Sequence, residues 1–254
     1  MCERHPLQCF IPPYIMEHMA QSSHAHIRAL AITNLASSSA FVAFRTSAQA
    51  MPTLLARKSP DGGKNRLVYD AKNTNALPGT LARAEGQAAT DDPALDEAYD
   101  GSGDVYDFYE QLFKRNSLDD NGMTLISTVH VAEVDFQGDF VPMNNAFWNG
   151  QQMAYGDGDG EVFRRFTGSL EVIGHELTHG VQSFTSNLNY QGQSGALNEH
   201  FADVFGILVR QWKEGTSAQD SSWVIGKELL VPAPTRRGIR DMEHPGTAYV
   251  NDPE

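Results

Sequence analysis

The sequence predicts an α+β protein, with strands gathered in its first half and helices in its second. Three observations predict it. Thr124 to Val134 alternates apolar and polar residues, as a half-buried strand does. Asn144 to Tyr155 reads as strand, turn, strand. Two helical stretches follow, from about Ser169 to Thr185 and from about Ala196 to Trp212, joined by a loop over about Ser186 to Ser194.

The elements follow in order. Residues 1–50 differ in composition from the rest and hold both cysteines and four of the nine histidines (His5, His18, His24, His26). Ile15 to Leu35 has the spacing of one helix, with Ile15, Met19, Ile27, Leu30 and Ala31 on its apolar face. Arg57 to Lys64 is a basic, Pro/Gly-containing loop. A boundary is expected between about 45 and 65, dividing off a processed or linker-joined segment rather than an integral part of the core. Arg66 to Ala71 predicts a strand and Leu77 to Thr80 a turn. Asp92-Pro93 opens a helix expected to run to about Tyr99, and Val105 to Phe113 carries a second apolar stripe. Leu118 to Gly122 and Gly156 to Gly160 are turns. The second resembles half a calcium loop but lacks the downstream glutamate at EF-hand spacing. The expected division is 1–50, a β-rich unit over 51–190, and the start of a helical unit over 191–254.

Composition excludes several functions. The chain has 254 residues, 41% of them apolar, which suffices for a core without disulfides. Its formal net charge of −13 argues against nucleic acid and against an anionic membrane surface. No apolar run is long enough to span a bilayer, and Pro12, Pro13, Glu17 and His18 interrupt any secretory h-region. Cys2 and Cys9 are read as free thiols in the N-terminal segment.

The chemistry lies in His175-Glu176-Leu177-Thr178-His179. Histidines four apart on a helix share a face and can reach one Zn2+. Glu176, rotated by about 100°, suits a general base acting on a metal-bound water. A catalytic zinc needs three protein ligands and an open position. Glu199, 20 residues after His179 on the next helix, is the candidate third. Asp203, one turn further on, can accept the free ring N–H of a ligand histidine and fix its tautomer. His130, in a strand pattern, is read as structural, and His200 as packing or solvated.

HELTH followed by Gly195 to Gly206 (GALNEHFADVFG) resembles the thermolysin family of neutral metallopeptidases. Asn144 to Gly160 is similar to the family's active-site edge strand. Phe10 to Ile15 (FIPPYI) resembles the short propeptide of the protealysin-like branch. The resemblance covers about residues 66–254. It implies a thermolysin-like α+β fold, with a β-rich N-terminal domain carrying the zinc helix at its edge and a helical C-terminal domain beginning after it. It implies a zinc metalloendopeptidase made as a zymogen and cutting on the amino side of bulky apolar residues. Asn145 and Ala146 would hold the substrate backbone, Tyr190 would help stabilise the oxyanion, and Arg240 would lie beside the S1′ pocket. The implied partners are a peptide or protein substrate and the chain's own propeptide, on a monomer that is secreted or, alternatively, cytoplasmic.

Two departures qualify the resemblance. The family has a further oxyanion-binding histidine beyond the arginine motif, and the sequence stops at Glu254 before that point. A C-terminally truncated chain is therefore expected, with an impaired zinc-binding fragment as the alternative to an active enzyme. The family's double calcium site meets Arg210, Ser222 and Lys227 here, leaving Glu171 and Glu228. That site is expected to be lost, although calcium elsewhere is compatible with the sequence.

Overall fold

The computed structural model describes residues 10–48, 58–233, 236–250 and 252. Cys2 and Cys9 lie outside the described residues, as do residues 49–57 of the expected 45–65 boundary.

The N-terminal segment forms two helices, α1 (Pro13–Met19) and α2 (Ala25–Ala48), where one helix over Ile15 to Leu35 was expected. The polar run Gln21-Ser22-Ser23-His24 separates them. Ser22 Oγ accepts from the His24 N–H, and the Ser22 and Ser23 carbonyls accept from Arg28 Nη1. Such local bonds compete with the helical ladder and end it. The segment packs against the rest of the chain in this state. Phe10, Ile11, Met16, Met19 and Ala31 belong to the main apolar cluster of the molecule. Composition could not show this, because the buried residues are scattered among exposed polar ones.

The main sheet comprises β1 (Arg66–Thr74), β2 (Thr80–Ala84), β3 (Leu125–Val134), β4 (Phe140–Pro142), β5 (Ala146–Trp148) and β6 (Met153–Tyr155). Its order is β2-β1-β3-β6-β5, with β4 paired to the far end of β3. β1, β3 and β6 are mutually parallel, and β2, β4 and β5 run antiparallel to their neighbours. β5 ends the path and forms one edge of the sheet.

Between β2 and β3 runs α3 (Pro93–Phe113), capped by the Asp92 side chain, which accepts from the Ala94 N–H at 2.8 Å. It is one helix where the sequence suggested two pieces. Gly101 and Gly103 interrupt its helical pattern, but both are sites of close approach. A Cβ at Gly101 would fall 2.4 Å from Ile173 Cδ1, and one at Gly103 2.3 Å from Arg66 Nη1. Packing outweighs the propensity penalty of about 1 kcal/mol per glycine.

α4 (Leu170–Ser183) and α5 (Gly192–Glu214) close the structure together with a small ribbon, β7 (Val224–Ile225) against β8 (Arg240–Asp241). α5 begins four residues before the expected Ala196. The two helices meet through glycines: a Cβ at Gly206 would lie 2.5 Å from the Glu171 carbonyl oxygen, and one at Gly174 3.0 Å from Gly206 Cα. This approach sets the spacing between His175 and Glu199. Among the described residues no helix is long and apolar enough to cross a membrane.

Candidate metal centre and substrate cleft

His175 and His179 lie one turn apart on α4 and are both buried. Their Nε2 atoms are 3.1 Å apart. Glu199, on α5, places Oε2 3.3 Å from His175 Nε2 and Oε1 3.5 Å from His179 Nε2. Donors at about 2.0–2.1 Å from a tetrahedral ion are separated from one another by roughly 3.3–3.4 Å. The three donors therefore have the spacing of three corners around one zinc. Glu199 Oε1 is buried and accepts no hydrogen bond among the described residues, a costly arrangement that a cation would relieve.

The far nitrogens are fixed from behind. His175 Nδ1 is 2.8 Å from Asp203 Oδ1, and His179 Nδ1 is 2.7 Å from Asn198 Oδ1. Each acceptor keeps the proton on Nδ1 and turns the Nε2 lone pair inward. Asp203 was singled out from the sequence. Asn198 stands beside Glu199 in the sequence, but spacing does not show which way an amide points.

The charges are strongly coupled. Burial opposes a charge on His175, but hydrogen bonds to Asp203 and Glu199 outweigh it and raise its pKa to about 9. Burial likewise penalises the Glu199 carboxylate, and the two histidines overcome it, holding Glu199 at about 2. Asp203 lies well below the usual carboxylate range, because Arg240 and His175 outweigh its burial.

Glu176 is fully buried beside the two histidines, and all three can present ligand atoms within 4.8 Å of one another. Its Oε2 accepts from the backbone N–H of Trp148 at 2.9 Å. The edge strand β5 thus aims the carboxylate, a contact that no residue pattern announces. Tyr190 is buried with its ring 5.6 Å from that of His179 and its hydroxyl 3.4 Å from His179 Nε2.

Arg240, on β8, donates to Asp203 from Nε at 2.7 Å and from Nη2 at 2.6 Å. Its third nitrogen, Nη1, donates to the carbonyl of Phe10 at 3.0 Å. The Phe10 ring packs edge-on against His175 at 5.2 Å. Asn145 Oδ1 accepts from the Ile11 N–H at 3.4 Å and from the Ala146 N–H at 2.9 Å. The N-terminal segment therefore packs against Asn145, Arg240 and His175 together. His200 and His244 are exposed and stand apart from this group.

At the expected calcium positions, Arg210 Nε lies 3.3 Å from Glu171 Oε2, while Ser222, Lys227 and Glu228 are exposed. Burial raises Glu171 to about 7 against the pull of Arg210. A guanidinium thus lies beside this carboxylate.

Comparison with known proteins agrees with this geometry. The family model described as thermolysin metallopeptidase, catalytic domain, matches residues 40–183, and that of the family's alpha-helical domain matches residues 186–254. The chain belongs to the thermolysin metallopeptidase family. His175 and His179 fall in the first match and Glu199 in the second, so the donor set straddles both of the family's domains. An extracellular metalloprotease of Pectobacterium carotovorum subsp. carotovorum is 42% identical over 97% of this chain and 68% of its own length. Protease PrtS of a Photorhabdus species is 51% identical over 74% of this chain and 48% of its own length. The solved precursor of protealysin, a metalloproteinase from Serratia proteamaculans, superposes with a TM-score of 0.80 at 41% identity, covering 96% of this chain and 69% of that one. The family's metal is zinc, and the His175-Glu176-His179 cluster is a metal-capable group of the matching kind.

Proposed function

We propose that the chain is the precursor of a zinc endopeptidase that hydrolyses peptide bonds on the amino side of bulky apolar residues. The observation that carries this reading is the convergence of His175 Nε2, His179 Nε2 and the Glu199 carboxylate beside the buried Glu176. These three residues would hold the metal. Zinc, when bound, supplies a Lewis acid for the scissile carbonyl and acidifies water towards neutral pH. Glu176 takes the proton of the attacking water on a carboxylate oxygen and delivers it to the leaving amine nitrogen. The Trp148 N–H, donating to Oε2, keeps that carboxylate in position.

The outer edge of β5 receives the substrate as an added strand, with Asn145 and Ala146 as its backbone partners. The Tyr190 hydroxyl supplies a donor to the oxygen on which negative charge develops. Arg240 holds a substrate carbonyl as it holds that of Phe10. Phe10 supports the zymogen reading. A bulky apolar side chain lies beside His175, its carbonyl on Arg240 and the next N–H on Asn145, as expected of a segment held in place of a substrate. We read the product as a secreted monomer acting on proteins, consistent with its acidity and with a relative named as extracellular.

Casein hydrolysis by the purified chain with zinc, beside Glu176→Gln, tests the activity. Turnover no greater than that of the variant overturns it. Zinc analysis of His179→Ala tests the ligands separately, and stoichiometric zinc in that variant removes His179 from the set.

A further inference from the structure

The contact between α2 and the cleft edge contains a buried acid that the chemistry does not use. Glu133 lies on β3, opposite Val141 of β4, and is 8% exposed. α2 docks on the same strands through Asn34, whose Oδ1 accepts from the Asn144 N–H at 2.7 Å and whose Nδ2 donates to the Pro142 carbonyl at 3.5 Å. Asn144 immediately precedes Asn145. The hydroxyl of Ser37, one turn beyond Asn34 on α2, hydrogen-bonds the Glu133 carboxylate. The second oxygen, Oε2, is buried with no hydrogen-bond partner among the described residues. A carboxyl group in that position is tolerable when neutral and costly when ionised.

Among the described side chains, the charged groups of the surrounding elements do not relieve it. On α2, His26 pairs with Glu161 at 3.2 Å, and Arg28 binds the Ser22 and Ser23 carbonyls, both at the far end of the helix. Asp135 and Asp139 flank the β3–β4 turn and carry the same sign as Glu133, while Lys72 on β1 is exposed. His130 on β3 is engaged by Asp92 and Asp157. None of these enters the titration of Glu133, which burial raises to about 7 against the single opposing bond from Ser37.

We propose that Glu133 makes the docking of the N-terminal segment pH-sensitive: α2 holds to the cleft edge while the Glu133 carboxyl is neutral and loosens when it ionises. This rests on the precursor reading and names its control. The sign follows from linkage. The docked state binds the proton more tightly than the undocked one, whose carboxyl has an ordinary pKa near 4.5. Docking therefore weakens as pH rises from about 4.5 to about 7 and stays weak above that.

Hydrogen exchange of the α2 amides in the full chain, corrected for the intrinsic pH dependence of exchange, tests the proposal. Protection is expected to fall about tenfold to a hundredfold between pH 5 and pH 8. In Glu133→Gln most of that fall is lost. Amides of β3 and α4 in the same samples report whether each variant is folded. Ser37→Ala, which removes the one bond favouring the ionised form, moves the midpoint upward and serves if Glu133→Gln does not fold. Equal falls in wild type and Glu133→Gln, or an unmoved midpoint in Ser37→Ala, overturn the proposal. Exchange does not depend on turnover. A pH-dependent release that brings no peptidase activity would refute the precursor reading and leave this one standing.

Discussion

The guanidinium of Arg240 donates to the carbonyl oxygen of Phe10 at 3.0 Å, joining residues 230 positions apart in the chain. The same guanidinium holds Asp203 with its other two nitrogens, and Asp203 orients His175. Phe10 and the carboxylate behind His175 thus share one side chain. Phe10 itself is fully buried. Phe10→Ala is expected to lose about 3–5 kcal/mol of packing, most of it from docking of the N-terminal segment. Trypsin should then cut within residues 13–48 many times faster, while the body of the protein keeps its melting temperature to within a few degrees. Unchanged trypsin susceptibility would refute the role of Phe10 as the anchor.

Asp203→Asn tests the other end of that link. An asparagine oxygen can still accept from His175 Nδ1, but Arg240 loses its buried countercharge. Breaking a buried pair costs about 3–5 kcal/mol, which lowers the melting temperature by roughly 10 °C in a chain of this size. Zinc affinity should fall about 10-fold to 100-fold, as it does when the groups behind ligand histidines are altered. A competing-chelator titration and a thermal melt read the two effects independently. Wild-type values in both would show that Asp203 orients nothing.

Gly206→Ala addresses the spacing of the donor set. The added Cβ would fall 2.5 Å from the Glu171 carbonyl oxygen, against backbone that cannot swing aside. α4 and α5 must part, at a cost of at least about 1–3 kcal/mol. Because His175 is on one helix and Glu199 on the other, their 3.3 Å separation should widen and zinc affinity should fall with stability. A variant that melts earlier but binds zinc as before would mean that the helix contact does not set the site.

What was legible in the sequence was whatever lay on one periodic element. His175 and His179 follow from helical spacing, and the strand β3 from its alternation. Glu199 and Asp203 came from a second helix whose distance along the chain allowed a return. The contacts supplied by backbone or by loosely patterned segments stayed hidden. The Trp148 N–H on Glu176 is identical in every residue type, so no side chain marks it. The burial of Phe10 and Met16 is masked by polar neighbours, and the continuity of α3 by two glycines whose purpose is contact with Ile173 and Arg66. His130 looked like an ordinary strand residue, yet its backbone has φ of +54° and it sits where the register of β1 against β3 shifts.

That conformation is uncommon for a residue other than glycine and persists where side-chain contacts hold it. His130 Nδ1 lies 2.7 Å from Asp157, and Nε2 lies 2.9 Å from Asp92, the cap of α3. A ring flanked by two carboxylates satisfies both only when it carries two protons. The Asp157 bond, with Asp92 adding to it, outweighs partial burial and raises the pKa to about 9. A folded-state pKa above the unfolded value near 6.5 gives stability that is complete below about pH 6.5 and is lost as pH rises through about 9. Solvent screening at this partly exposed cluster limits the effect to about 1 kcal/mol, or a few degrees of melting temperature. The gap in melting temperature between wild type and His130→Gln should therefore be widest at pH 6 and close by pH 10. A gap that is constant across that range would mean that the His130 charge does not clamp α3 to the Gly156–Gly160 loop. The amide of Gly156 donates to the Asn145 carbonyl at 3.0 Å, so a loosened loop would also be felt at the edge of the cleft.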